Sequence, residues 1–181
     1  MLNKAVKLFI KATEAVPPEY MAIPMAEQDA YPLERVYTYE LYHQLRIRTS
    51  DSQYRWGGEV DKAVNHHFAA SGLPGYKPDL LFHRPGVMDG NILVVEVKMC
   101  RGILRSDWLN DLKKITALRR NGAYFRAYQR GIFLLVGGDL GCIEHVRTVA
   151  RQRMDDQVVD LALVDLFWHA TAGQGAKIVP W

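Results

Sequence analysis

An α/β domain with one mixed sheet flanked by helices is expected from three features of this chain. First, two runs have the length and apolarity of buried strands: NILVVEVKM at 91–99 and IFLLV at 132–136. Second, the shorter run DLLFH at 79–83 precedes them, and the turn formers Arg84-Pro85-Gly86 and Asp89-Gly90 lie between it and residue 91, so a hairpin is the natural connection. Third, Ser106 stands as an N-cap before a polar–apolar helix running towards Arg120, with Asn121-Gly122 as its stop.

The remaining elements follow in order. Residues 2–15 read as a short helix stopped by Pro17-Pro18, and a proline-punctuated connection runs through Pro24 and Pro32. A helix over 33–48 carries Leu33, Val36, Tyr37, Leu41, Gln44 and Leu45 along one side. Residues 54–64 read as a strand interrupted by Gly57-Gly58. Gly137-Gly138 ends the second long apolar run, and a helix over 142–154 and a last strand over 158–167 follow. The tail Val179-Pro180-Trp181 has no assigned part. From 33 to 136 the order is helix, three strands, helix, strand. The 181 residues are read as a single domain with its core at about 33–137, the N-terminal helix and the C-terminal helix and strand being appended.

Composition sets the function classes. An apolar fraction of 49% suffices for a sizeable core, and a net charge of +3 is too small by itself to indicate a nucleic-acid partner. The distribution is more informative. From Lys98 to Arg130 there are nine basic and two acidic residues, a surplus of seven that leaves the remainder at −4. That asymmetry suits a polyanion lying against one side; the other reading is a solvated helix face. Cys142 and His145 have a C-x-x-H spacing without a second ligand pair, which argues against structural zinc. Two cysteines, Cys100 and Cys142, make no disulfide framework and point to a reducing compartment. No segment has the apolar length of a membrane span, so a cytoplasmic protein with no membrane partner is expected.

The residues that carry chemistry lie on the first two strand signals. Pro78-Asp79 opens one, and Glu96-Val97-Lys98 lies near the end of the next, sixteen residues intervening between Asp79 and Glu96. Side chains alternate along a strand, so Glu96 and Lys98 share a face. Burying either charge alone is expensive, so they require each other, a metal ion, or both. The hairpin would bring Asp79 alongside. Two carboxylates and a backbone carbonyl form a hard oxygen site suited to Mg²⁺ or Mn²⁺, which can polarise a phosphodiester and activate water. The Lys98 ammonium is placed to orient the attacking water or to neutralise developing charge. Glu40, at the margin of the 33–48 stripe, is a fourth candidate, either holding a second metal or pairing with a neighbouring Arg.

Pro78-Asp79 followed by Glu96-x-Lys98, with a carboxylate-bearing helix before and a basic helix after, resembles the PD-(D/E)xK nuclease superfamily. The resemblance covers roughly 33–137 and implies a restriction-endonuclease-like core. It implies that Asp79 and Glu96 are metal ligands, that Val97 offers its carbonyl, that Lys98 is the catalytic lysine, and that Glu40 matches the acidic residue of the first core helix. It also implies Mg²⁺-dependent hydrolysis of phosphodiesters, in DNA more than in RNA. The Gln and Tyr that some members carry on the second core helix are absent from the helix after Ser106. Arg101, Arg105, Lys113 and Lys114 are the expected nucleic-acid contacts. A homodimer would allow both strands of a duplex to be cut, but no segment identifies an interface. The competing expectation is a catalytically silent nucleic-acid-binding or assembly module that keeps the fold. Glu59, His66, His67 and His83 are lesser candidates.

Overall fold

The computed structural model describes residues 1–26, 28–49, 53–59, 76–87, 89–103, 108–120, 127–152 and 159–181. Its helices are α1 (Leu2–Glu14), α2 (Pro18–Met21), α3 (Glu34–Arg48), α4 (Trp108–Leu118) and α5 (Leu140–Gln152). Its strands are β1 (Ile23–Met25), β2 (Gln28–Tyr31), β3 (Arg55–Gly58), β4 (Leu80–His83), β5 (Asn91–Met99), β6 (Arg130–Val136), β7 (Val164–His169) and β8 (Lys177–Val179).

Strands β3 to β8 form one six-stranded sheet in chain order. The pairs β3–β4, β4–β5 and β7–β8 are antiparallel, whereas β5–β6 and β6–β7 are parallel. The sheet is therefore mixed, and helices cover both faces. Strand β5 lies in its middle and is buried at every residue but Lys98, which accounts for its almost unbroken apolar run. On one face α1 and α3 pack Phe9, Tyr37, Leu41 and Leu45 against Val95, Val97, Leu134 and Phe167. On the other, α4 and α5 pack Trp108, Leu112, Ile115, Ile143 and Val146 against Val94, Phe133 and Leu135. The alternation of neighbouring β5 and β6 residues between these two cores is the period-2 geometry of a strand. A buried hydrogen bond ties α3 to β7, with 2.6 Å between Tyr37 Oη and His169 Nδ1. Burial lowers the His169 pKa to about 4, so the imidazole is neutral in this contact.

Several boundaries differ from expectation. The last large strand begins later than residue 158, because Asp160 Oδ1 accepts from the Ala162 N–H and starts a 3-10 turn at Leu161–Leu163. The proline-rich connection contains the small hairpin β1–β2, whose only sheet partners are each other, a setting in which Pro24 is tolerated. The tail has a structural role. Strand β8 pairs with β7, the Trp181 indole N–H donates to the Val164 carbonyl, and its ring stacks on Phe133 at 6.4 Å. Ser106, Asn121-Gly122 and residues 60–64 lie outside the described residues. Among the described residues no helix is long and apolar enough to cross a membrane.

The inference of a reducing compartment from the two cysteines is corrected. Cys100 and Cys142 form a disulfide with their Cα atoms 6.1 Å apart. Parallel pairing of Met99 with Val136 brings the end of β5 beside the end of β6, and α5 starts four residues later. Gly138 permits the approach, since a Cβ there would lie 2.5 Å from the Cys100 Cβ and 2.7 Å from its sulfur. The argument for a reducing compartment therefore loses its footing. The bridge spans a sequence separation of 42, and removing the loop constraint it imposes on the unfolded chain should lower stability by about 3–4 kcal/mol. Urea denaturation of the protein and of a Cys100→Ser, Cys142→Ser variant should show that difference; coincident midpoints would mean that the bond contributes nothing.

Candidate active site at the end of the central strand

The β4–β5 register pairs Leu80 with Val95, and one further step sets Asp79 opposite Glu96. The ladder stops there because the next residue, Pro78, has no N–H to donate across to the Val97 carbonyl. The Val97 N–H instead donates to Asp79 Oδ2 at 2.7 Å. On the other side of Asp79, the Glu59 N–H donates to its backbone carbonyl at 3.1 Å. Both the main chain and the side chain of Asp79 are thus fixed at the edge of β5.

Glu96 and Lys98 share the face of β5 that α4 covers. That helix contributes two charged residues, Asp111 and Lys114, one turn apart. The Lys114 ammonium lies 2.9 Å from Glu96 Oε1 and 2.8 Å from Asp111 Oδ1. The Lys98 ammonium lies 3.2 Å from Asp111 Oδ2 and 3.2 Å from Glu34 Oε2, at the start of α3. Asp111 therefore holds one lysine on each oxygen. The result is a chain Glu34–Lys98–Asp111–Lys114–Glu96 with Asp79 next to Glu96. Glu96 is the most deeply buried member, its side chain only 2% exposed. Its Oε1 has the Lys114 charge nearby but no well-directed hydrogen bond.

Four carboxylates face two ammoniums, an excess of two negative charges if all are ionised. The carboxyl groups register that excess. Burial pushes the Asp79 pKa up to about 6; the Val97 N–H opposes the rise, and the charges on Glu34 and Asp111 add to it. Burial, then Asp79 and Asp111, raise the Glu96 carboxyl well above the usual range, with Lys114 opposing. For both lysines burial favours the neutral form, but their carboxylate neighbours outweigh it and the pKa values rise. Both ammoniums are firmly charged; the strain falls on the acids.

The structure thus brings Asp79, Glu96 and Lys98 together, with the Val97 backbone beside them. It does not bring Glu40. That carboxylate accepts a hydrogen bond from Gln44 on the same helix, and the acidic residue of α3 that reaches the cluster is Glu34. The expected wheel was turned too far: the buried stripe is Tyr37, Thr38, Leu41 and Leu45, and Leu33 is 40% exposed. Glu34 lies one turn before Tyr37 on that stripe. Asp111 was also missed, although it sits within the buried series Trp108, Leu112 and Ile115, where an acidic residue is conspicuous.

The expected nucleic-acid contacts are redistributed. Lys114 lies in the cluster, in contact with Glu96 and Asp111. Arg101 is exposed, stacks on Tyr31 at 4.6 Å, and borders a cavity of about 610 Å³. Lys113 is half-exposed on α4, and Arg105 lies outside the described residues. Much of the basic surplus of 98–130 is spent within the fold. Arg119 donates to the carbonyls of Leu163 and Tyr128, and Arg120 and Arg130 pair with Asp160 and Asp165.

Among the described residues no three acidic, histidine or cysteine side chains form a ready-made metal cage. The donor set suits a hard divalent ion held by two carboxylates and a backbone carbonyl, the rest of the shell coming from water and substrate, which is the usual Mg²⁺ arrangement. The weakly satisfied Glu96 oxygen and the surplus negative charge support that fit. Fold and site together define an α/β domain with a buried carboxylate–lysine cluster at the end of its central strand. Comparison with protein-family models, curated proteins and solved structures returns no match.

The electrostatics generate a pH dependence. The folded-state pKa of Asp79, about 6, lies above its ordinary value of 3.8, so the native state binds this proton more tightly than the unfolded chain. Stability should therefore fall as pH rises through that interval. An Asp79→Asn variant keeps an acceptor for the Val97 N–H and removes the charge. In chelator it should be the more stable protein by about 1–2 kcal/mol at pH 8, the gap narrowing below about pH 4. Denaturation midpoints across that range would measure it, and parallel pH profiles for the two proteins would contradict the assignment.

Proposed function

We propose that this chain is a metal-dependent nuclease of the PD-(D/E)xK type, with a restriction-endonuclease-like core, that hydrolyses phosphodiester bonds in DNA in preference to RNA. The observation that carries the reading is the placement of Asp79 opposite Glu96, with the Lys98 ammonium in the same buried, net-negative cluster. The element order α3, β3, β4, β5, α4, β6 among the described residues supports it. So does the Val97 carbonyl, which Pro78 leaves without a ladder donor on the β4 side.

In this reading Asp79, Glu96 and the Val97 carbonyl would hold Mg²⁺ or Mn²⁺. When bound, the ion supplies Lewis-acid activation of the scissile phosphate and of the attacking water. The protein's own groups do the rest. The Val97 N–H fixes one oxygen of Asp79 and leaves the other for the ion. Lys98 is held by Glu34 and Asp111, so its ammonium is positioned before substrate arrives. There it orients water and stabilises negative charge on the phosphate. The acidic cluster repels a phosphodiester when no cation is present, which makes hydrolysis strictly cation-dependent.

The test is incubation with plasmid, linear and branched DNA and with RNA, in Mg²⁺ or Mn²⁺. Asp79→Ala, Glu96→Ala and Lys98→Ala should each reduce the cleavage rate by about a hundredfold or more, and Glu40→Ala should stay within about twofold of the parent. Equal cleavage by the parent and all three site variants would remove the mechanism. A protein stabilised by Mn²⁺ that cuts none of these substrates would be another kind of metal-dependent protein.

A further inference from the structure

Two lysines enter the cluster, and they are not equivalent. Lys98 comes from the strand and pairs with Glu34 and Asp111, and not with Glu96. Lys114 comes from α4 and is the cation that stands on Glu96, 2.9 Å from Oε1, while its other side rests 2.8 Å from Asp111 Oδ1. One ammonium therefore stands between Glu34 and Asp111, and the other stands on Glu96.

We propose that Lys114 is the resident counter-ion of the carboxylate site: its ammonium competes with a divalent cation for Glu96, and it shifts onto Asp111 when the cation binds. The inference rests on the reading of Asp79 and Glu96 as ligands of such an ion.

Three observations carry it. Glu96 is buried and cannot follow a departing partner, whereas the Lys114 side chain is 21% exposed and swings on a four-carbon stem. The Lys114–Glu96 contact is an ion pair at 2.9 Å made by a single monovalent charge, and a divalent charge outcompetes a monovalent one. Asp111, which lies on the same helix and already holds Lys114 by its other contact, retains the displaced ammonium within the site. Without Lys114 the metal-free protein would bury Glu96 with no cation in contact, which is why a second lysine is present where catalysis requires only one.

The experiment is Mn²⁺ titration followed by thermal stabilisation and by electron paramagnetic resonance of the bound ion, on the whole protein and on Lys114→Met, with Lys113→Met as a control of equal charge. Lys114→Met should melt lower than the parent in chelator and bind Mn²⁺ about ten- to a hundredfold more tightly, while Lys113→Met binds like the parent. Lys114→Arg, which keeps the charge, should bind no more tightly than the parent. If Lys114→Met does not fold in chelator, Lys114→Gln provides the same comparison. Unchanged or weaker Mn²⁺ binding in the neutral variant overturns the inference. If Mn²⁺ also stabilises the parent and fails to stabilise Asp79→Ala, that result leaves the two-carboxylate reading standing. Absence of any Mn²⁺ response in all proteins overturns both. Tighter binding in Lys114→Met from a protein that cleaves no nucleic acid upholds the role of Lys114 and removes the nuclease assignment.

Discussion

The hydrogen bond from the Val97 N–H to Asp79 Oδ2 organises the end of the central strand. A proline has no N–H to give to the Val97 carbonyl, so the pairing of β4 with β5 breaks at Pro78, and the Val97 N–H donates to the Asp79 side chain. This places a carboxylate directly across from Glu96. Like charges opposite one another on a sheet are normally destabilising, and here Glu96 is buried and Asp79 half-buried, so the arrangement is maintained against a standing electrostatic cost. The raised pKa values of Asp79 and Glu96 are the chemical form that this cost takes.

The rest of the site answers that cost with charge from elsewhere in the chain. Asp111 at first sight makes matters worse by adding another carboxylate, yet it is the residue on which both lysines converge, one on each oxygen. Through it the two ammoniums are held apart and aimed differently, Lys98 towards Glu34 and Lys114 towards Glu96. The network is well ordered but not neutral. With every carboxyl ionised it carries two more negative than positive charges, and the raised pKa values of Asp79 and Glu96 show that proton uptake relieves part of that excess. The same helix that carries Asp111 and Lys114 packs Trp108, Leu112 and Ile115 into the core, so the position of the charges is set by apolar burial.

Legibility from the amino-acid string follows the range of the forces involved. Strand β5 was readable to the residue because burial on both faces demands a long apolar run, and the partnership of Glu96 and Lys98 on one face follows from a period of two. The helix over 34–48 was readable, but its rotation was not: Leu33 and Val36 drew the apolar stripe towards Glu40, whereas packing against α1 and the sheet centres it on Tyr37, Leu41 and Leu45 and selects Glu34. Strand β8 and the hairpin β1–β2 escaped notice because three- and four-residue strands are stabilised by the neighbour they pair with. The disulfide escaped for a related reason. Its cysteines are 42 residues apart, and only the parallel register of β5 and β6 brings them together.

Local composition thus sufficed to establish an α/β chain, its two buried strands, and an acidic–lysine pair at the end of one of them, because burial and backbone periodicity act over a few residues. It did not suffice to say which helix residues would join that pair. Glu34, Asp111 and Lys114 are remote from β5 in sequence, and they reach it through the packing of α3 and α4 on the sheet. Coulomb forces act across space with no regard to position in the chain, so membership of a charge cluster emerges once the folded arrangement exists.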